Sequence, residues 1–278
     1  MEFLKLEFLK FDSALWQRVV SLLEYDPAAP LTLATGFFLF ALFVFALGYI
    51  IIKRRPNLRT WYVTLFSLYF YYKLSGLYVL LLLGVALSDY LIGRRVAKRR
   101  EAGGSTKWWV ALSVTINIAI LAYFKATNFF VDCINNLYGA GTLDWQAVVV
   151  PAGVSFFVFQ SMSYTIDVYR GVIKPLDRLI DYLFYLSFFP QLVAGPIVRA
   201  DHFLPQIKAN RKATRDEVWF GFWLILLGII KKSLLADYIA QYNDIVFATP
   251  DTYTGFENLM AILGYTMCTK SEEQNLFS

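Results

Sequence analysis

Residues 31–52 run for 22 positions without a charge, hold five phenylalanines, and are followed at once by Lys53, Arg54 and Arg55. At 1.5 Å per residue the run reaches about 33 Å, enough to cross a ~30 Å hydrocarbon core. The rest of the chain agrees with it. Of its 278 residues 58 % are hydrophobic and 17 % charged, against roughly 45–50 % and 25 % in soluble domains. No soluble core absorbs that excess, so much of it must face lipid. The composition excludes a disordered chain, a secreted disulfide scaffold and an ordinary cytosolic enzyme. Cys133 and Cys268 have no partner spacing, so no metal or redox motif is visible. The chain has one histidine, His202.

The bases occur in short runs between apolar stretches. That pattern reads as membrane topology and not as a nucleic-acid surface, because loop Lys and Arg set the orientation of spans. Segments 61–72 and 74–92 lie between the run at Lys53–Arg59 and the run from Arg94 to Lys107. Two crossings broken at Lys73, Ser75 and Gly76 return the chain to the cytoplasmic side, although 61–72 is short for a crossing. Residues 108–124 cross outward and 148–166 cross back, joined by a loop without Lys or Arg at 137–145.

Segment 179–198 holds Pro190, Gly195 and Pro196 and has bases on both sides. Proline and glycine free backbone groups that lipid cannot satisfy, so a re-entrant element buried in protein is expected here. Residues 218–230 are too short to span before Lys231 and Lys232, so either the helix runs on to about residue 240 or the lysines snorkel. The acidic stretch 237–257 reads as extracytoplasmic, and 259–267 is too short to cross. Residues 1–30 form an amphipathic segment, lying on the outer surface or packed on the bundle, and have no signal-peptide pattern. The fold class expected is all-α, a polytopic transmembrane helical bundle with one re-entrant segment.

Polar chemistry concentrates in two places. Gln160, Ser163, Tyr164 and Asp167 fall at i, i+3, i+4 and i+7 and share one helical face. Such a face in hydrocarbon must meet protein or a watery passage. Periodicity alone favours interhelical hydrogen bonding over a substrate passage. The second place is 188–199, where Pro190, Gly195 and Pro196 interrupt any helix before Arg199. His202 follows in a polar stretch that reads as an interfacial loop. Gly-rich phosphate loops, paired catalytic carboxylates, Ser–His–Asp spacing and internal repeats are absent from the sequence.

These stretches carry a resemblance. Pro151-Ala-Gly-Val-Ser-Phe-Phe157, Gln160-Ser-Met-Ser-Tyr164 and Ile166-Asp-Val-Tyr-Arg-Gly171 resemble the membrane-bound O-acyltransferase family, in its bacterial alginate O-acetyltransferase-like branch. Phe188-Phe-Pro-Gln-Leu-Val-Ala-Gly-Pro-Ile197 with Arg199 is similar to the same branch. So are Tyr123-Phe-Lys125 with Asn128-Phe-Phe130, and Lys231-Lys232 with Ala236-Asp237. The motifs run in order from about residue 31 to residue 267.

The resemblance implies a multi-pass enzyme of the bacterial inner membrane that O-acetylates an exported polysaccharide. It implies acetyl-CoA as acyl donor, no bound cofactor, no metal and no nucleic acid. Its partners would be the bilayer and an extracytoplasmic acetyltransferase. Gln160, Ser163, Tyr164, Asp167, Arg170, Pro190, Gly195, Pro196 and Arg199 are then candidates for lining a substrate tunnel. The family's catalytic histidine lies on a later segment, beyond residue 278, and is not matched by His202. Residues 268–278 depart from the family as a hydrophilic tail, so the resemblance covers 31–267 and reads as a truncated or frame-shifted form of an O-acyltransferase, and the 278-residue chain alone is expected to lack acetyltransferase activity. Two other functions stay open: transfer of alanyl or another acyl group to a cell-envelope polymer, and a non-catalytic membrane scaffold or transporter.

Overall fold

The structure is a computed structural model and describes residues 24–26, 36–52, 54–139, 145–192, 198–208 and 214–277. Among these residues it is all-α, with no strand. The amphipathic segment expected at 1–30 lies almost wholly outside the described residues, as do Gly195 and Pro196.

Among the described residues the first unit, to residue 192 with 199–203, holds eight helices. They are α1 (Gly36–Ile52), α2 (Pro56–Ser75), α3 (Val79–Glu101), α4 (Lys107–Tyr138), α5 (Val154–Arg170), α6 (Leu179–Ser187), α7 (Phe189–Leu192) and the start of α8 (Ala200–Lys208). The break between α2 and α3 falls where the sequence places it. Gly76, at φ +61°, leads a short 3-10 turn that ends one helix and starts the next. The stretch Pro56–Glu101, and α4, are each long and apolar enough to cross a membrane, and Phe38–Ile52 is a shorter apolar helix. Most of the apolar surface of α4 stays open, which suits lipid and not water.

Three helix limits differ from the sequence reading. The 108–124 span extends through Tyr138, because nothing in 125–138 breaks a helix and Gly139, at φ +110°, ends it. The 148–166 span starts only at Val154, because Pro151 and the left-handed Gly153 keep the chain non-helical before it. The stretch 179–192 is two short helices broken at Phe188, and neither reaches across a bilayer.

The core lies where α3 meets α5 and α6, and α2 meets α6. An aromatic cluster ties α7 to the first two helices. Phe189 sits 5.1 Å ring to ring from Phe66 and 5.8 Å from Phe70, and Phe38 lies 5.3 Å from Phe70. The N–H of Phe189 donates to Ser67 Oγ at 3.3 Å, which fixes the start of α7.

The second unit holds α9 (Arg215–Ile230), a π-helical stretch (Lys231–Ala236), α10 (Asp237–Ala248) and α11 (Gly255–Phe277). The backbone is therefore helical without a break from 215 to 248, which resolves the two readings of Lys231 and Lys232 in favour of continuation. Thr214 and Glu217 close a capping box at the start of α9. Trp219, Phe220, Phe222 and Trp223 are all exposed. The short apolar stretch 259–267 belongs to the longer α11, whose backbone stays helical through residue 277. Thr254 donates from its N–H and its hydroxyl to Glu257 Oε2, both at 2.8 Å, and these bonds hold the Glu257 carboxyl below its ordinary range.

Candidate functional site

Helix α5 organises the site. Of the residues singled out in the sequence, it carries Gln160, Ser163, Tyr164, Asp167 and Arg170. Gln160, Tyr164 and Asp167 are buried. Gln160 Nε2 donates to the Tyr185 carbonyl of α6 at 3.0 Å. Tyr164 OH accepts from the N–H of Leu176 at 2.9 Å, and its ring lies 4.6 Å from that of Tyr182. Ser163 donates within its own helix to the Gln160 carbonyl. Of this face, then, Gln160 bonds to another helix, Tyr164 bonds to the loop before α6, and Ser163 bonds within α5.

Asp167 is the exception. It is buried, and among the described residues its Oδ2 has no hydrogen-bond partner. The charges that act on it are those of Arg199, Asp201 and Arg170. The fold thus brings Asp167 and Arg199, from two separate motifs, into one electrostatic neighbourhood. Pro190 lies in α7 and is exposed, while Phe189, Gln191 and Leu192 beside it are buried. His202 is exposed on α8, a helix and not the expected loop, with Nε2 3.9 Å from Asp201 Oδ2.

Beside the C-terminal end of α5 a cleft of ≈ 390 Å³ opens against α3, lined by Arg100, Glu101, Val168, Gly171 and Lys174 among others. Gly171, at φ +78°, ends α5, and its N–H reaches the Val168 carbonyl. The Arg100 guanidinium occupies the space a side chain at 171 would need, and donates to the Val168 carbonyl at 3.3 Å. A cation at a helix C-terminus is favourable.

Sequence reasoning missed the most completely bonded polar group in the unit. Asp89 on α3 is fully buried and sits at the meeting of three other helices. Ser113 Oγ donates to its Oδ1 at 2.6 Å, and Asn117 Nδ2 donates to its Oδ2 at 2.6 Å, both from α4. Ser161 on α5 donates to the same Oδ2. Ser161 Oγ and Tyr182 OH, on α6, are 2.8 Å apart. Ser113, Asn117, Ser161 and Tyr182 are all fully buried. The available signal was the single charge in an apolar segment, together with Ser113 and Asn117 at i, i+4 on the next one. Among the described residues no cluster of His, Cys, Asp and Glu has the makings of a metal site.

No protein-family model matches the chain, and no solved structure matches it. Curated relatives do. A probable alginate O-acetylase of Pseudomonas putida is 36 % identical over 192 residues, 68 % of this chain and 39 % of the relative. A peptidoglycan O-acetyltransferase of Helicobacter pylori is 26 % identical over 260 residues, 81 % of this chain and 49 % of that protein. A teichoic acid D-alanyltransferase of Bacillus subtilis is 29 % identical over 125 residues, 41 % of this chain and 30 % of its own length. The chain spans about two fifths of the length of the alginate O-acetylase it matches.

Proposed function

The chain belongs to the membrane-bound O-acyltransferase family, in its alginate O-acetylase-like branch, and we propose that the protein takes part in O-acetylating an exported polysaccharide. The observation that carries this is the 36 % identity to a probable alginate O-acetylase over 192 residues. The reaction is ester formation. A sugar hydroxyl oxygen attacks the thioester carbonyl of an acetyl donor, the C–S bond breaks, and the hydroxyl proton passes through a base to the leaving thiolate. Acetyl-CoA is the donor of this reading, and an extracytoplasmic acetyltransferase is its partner in the transfer. The base is a histidine of the kind the family carries on a later segment.

This chain's own part is on the donor side. Asp167 with its free oxygen, Arg199 near it, and the α5 face of Gln160, Ser163 and Tyr164 border the passage. Arg100, Arg170 and Lys174 supply positive charge at the inner end, which draws an anionic donor. The protein is a multi-pass protein of the inner membrane, and segment 179–198 is re-entrant in it. The two short helices and the Phe188 break support that reading. A second reading, alanyl transfer to a cell-envelope polymer, is favoured by the likeness to the D-alanyltransferase over 125 residues.

Two experiments test the proposal. In intact cells, a cysteine at Arg99 stays unlabelled by a membrane-impermeant maleimide, while a cysteine at Leu137 is labelled. Labelling at 99 overturns the orientation. In membranes, acetylation of the polysaccharide from acetyl-CoA by the protein carrying the family's later segment requires this chain and is unchanged in His202→Ala, because His202 is exposed and is not the family's base. An abolished reaction in that variant makes His202 the base and moves the site.

A further inference from the structure

We infer that Asp89 is a positioning residue: through Ser161 it fixes the rotation of α5, and so sets where Gln160, Ser163, Tyr164 and Asp167 point. The inference rests on the function proposed above only in naming what is positioned. Apolar packing holds two helices together but tolerates small rotations, since van der Waals contacts have no preferred azimuth. Hydrogen bonds between buried groups do have one.

Helix α5 is held at three points of its circumference. Ser161 bonds to Asp89 of α3, Gln160 to the Tyr185 carbonyl of α6, and Tyr164 to the N–H of Leu176. Adjacent residues on a helix are 100° apart, so Ser161 and Gln160 lock two different azimuths. The Asp89 bond is the most constrained of the three. Its carboxylate also holds Ser113 and Asn117 of α4, and Tyr182 of α6 shares the Ser161 hydroxyl. One carboxylate thus ties α5 to three neighbours. No ion pair among the described residues reaches it. Its value lies in the directions of its bonds and not in neutralising a cation.

The test uses the full protein in its native membrane with Cys133→Ser, Cys268→Ser and a reporter, Ser163→Cys. Ser163 is partly buried, so its reaction rate with a membrane-permeant maleimide depends on how α5 is turned. Asp89→Asn keeps the shape but sets a second amide N–H₂ among groups that all donate to the carboxylate. Ser161→Ala removes the α5 end of the link. Each variant is expected to change the reporter rate at least threefold, and the two together no further than Asp89→Asn alone, because both cut one link. Thr127→Ala, on the exposed side of α4, leaves it unchanged. In acetylation assays with Ser163 restored and normalised to folded protein, Asp89→Asn lowers kcat at least tenfold with the donor KM within about twofold. A merely structural role lowers the amount of folded protein and leaves both constants as they were. An unaltered reporter rate in both variants overturns the inference. If Asp89→Asn fails to accumulate, Ser161→Ala decides by the same readout. If the wild type acetylates no polymer, the proposed function falls and the reporter rate still decides the positioning.

Discussion

Asp89→Ala is expected to lower the stability of the protein by about 3 kcal/mol or more, since each buried donor left without an acceptor costs about 1–3 kcal/mol. Three donors lose the carboxylate at once: Ser113 Oγ, one N–H of Asn117 Nδ2, which also donates to the Ser113 carbonyl, and Ser161 Oγ, which keeps Tyr182 OH as its neighbour. All three side chains are fully buried, so bulk water does not replace the lost carboxylate. Thermal unfolding of the purified protein in detergent measures it, at about 2–4 °C per kcal/mol for a chain of this size. The expected order of loss is Asp89→Ala, then Ser161→Ala, then Thr127→Ala, whose hydroxyl is exposed. A further variant separates the causes. Asp89→Leu combined with Ser113→Ala, Asn117→Leu, Ser161→Ala and Tyr182→Phe removes the polar groups of the network together, and should recover much of the stability. Recovery would identify unpartnered donors as the source of the loss. A loss under about 1 kcal/mol for Asp89→Ala would mean that the donors find other partners, and the network would not bind the helices as described.

The same residues show how far the sequence alone reaches. Local features were legible in it: the chargeless run at 31–52, the break at Lys73–Gly76, and the i, i+3, i+4, i+7 face of α5. Each depends on neighbours in the chain, and helical periodicity exposes it. The family resemblance was legible too, because its motifs are short and ordered. Helix limits were less so. A charge count stops the α4 span near Lys125, yet charges do not end helices, and α4 runs on to Tyr138. The Asp89 network was hidden for a different reason. Its bonds join residues 24, 28 and 72 positions apart. No pattern within a window of one helix holds that information. Ser161 was overlooked because it faces away from the polar stripe of its own helix. The nearness of Asp167 and Arg199 is likewise a product of tertiary structure. His202, in contrast, gave its exposure away through its polar neighbours, while its helical backbone did not show, because Pro205 sits inside α8.

Gly153→Ala is expected to be as damaging as the loss of Asp89, for reasons of backbone geometry. Gly153 stands at φ +72° and ψ +5°, immediately before α5. A left-handed conformation costs an L-residue with a side chain roughly 1–2 kcal/mol. A second penalty is added by its surroundings. A Cβ there would lie 2.5 Å from the Leu192 carbonyl oxygen of α7, a backbone atom that has no rotamer to escape into. Relief requires α7 to move, and α7 is anchored by Phe189 in the aromatic cluster and by the Ser67 hydrogen bond. The combined loss should be about 3 kcal/mol or more, in the range of steric insertions into packed cores. Two other glycines calibrate the effect. Gly171 also has a positive φ, but the atoms nearest a Cβ there are the end of the flexible Arg100 side chain, which can shift at the cost of its 3.3 Å bond to the Val168 carbonyl. Gly171→Ala should therefore cost about 2 kcal/mol, the conformational penalty plus part of that bond. Nothing lies within 4 Å of a Cβ at Gly84, inside α3, so Gly84→Ala should be neutral or stabilising by up to ~1 kcal/mol. Unfolding temperatures of the three variants are expected in the order Gly153, Gly171, Gly84, lowest first. If Gly153→Ala unfolds no earlier than Gly84→Ala, α5 and α7 do not approach as closely as 2.5 Å implies. If the order holds, the glycine in Pro151-Ala-Gly-Val-Ser has a physical role: it lets the start of α5 rest against the end of Phe189-Pro-Gln-Leu192, and so joins the two motifs through which the chain resembles its family.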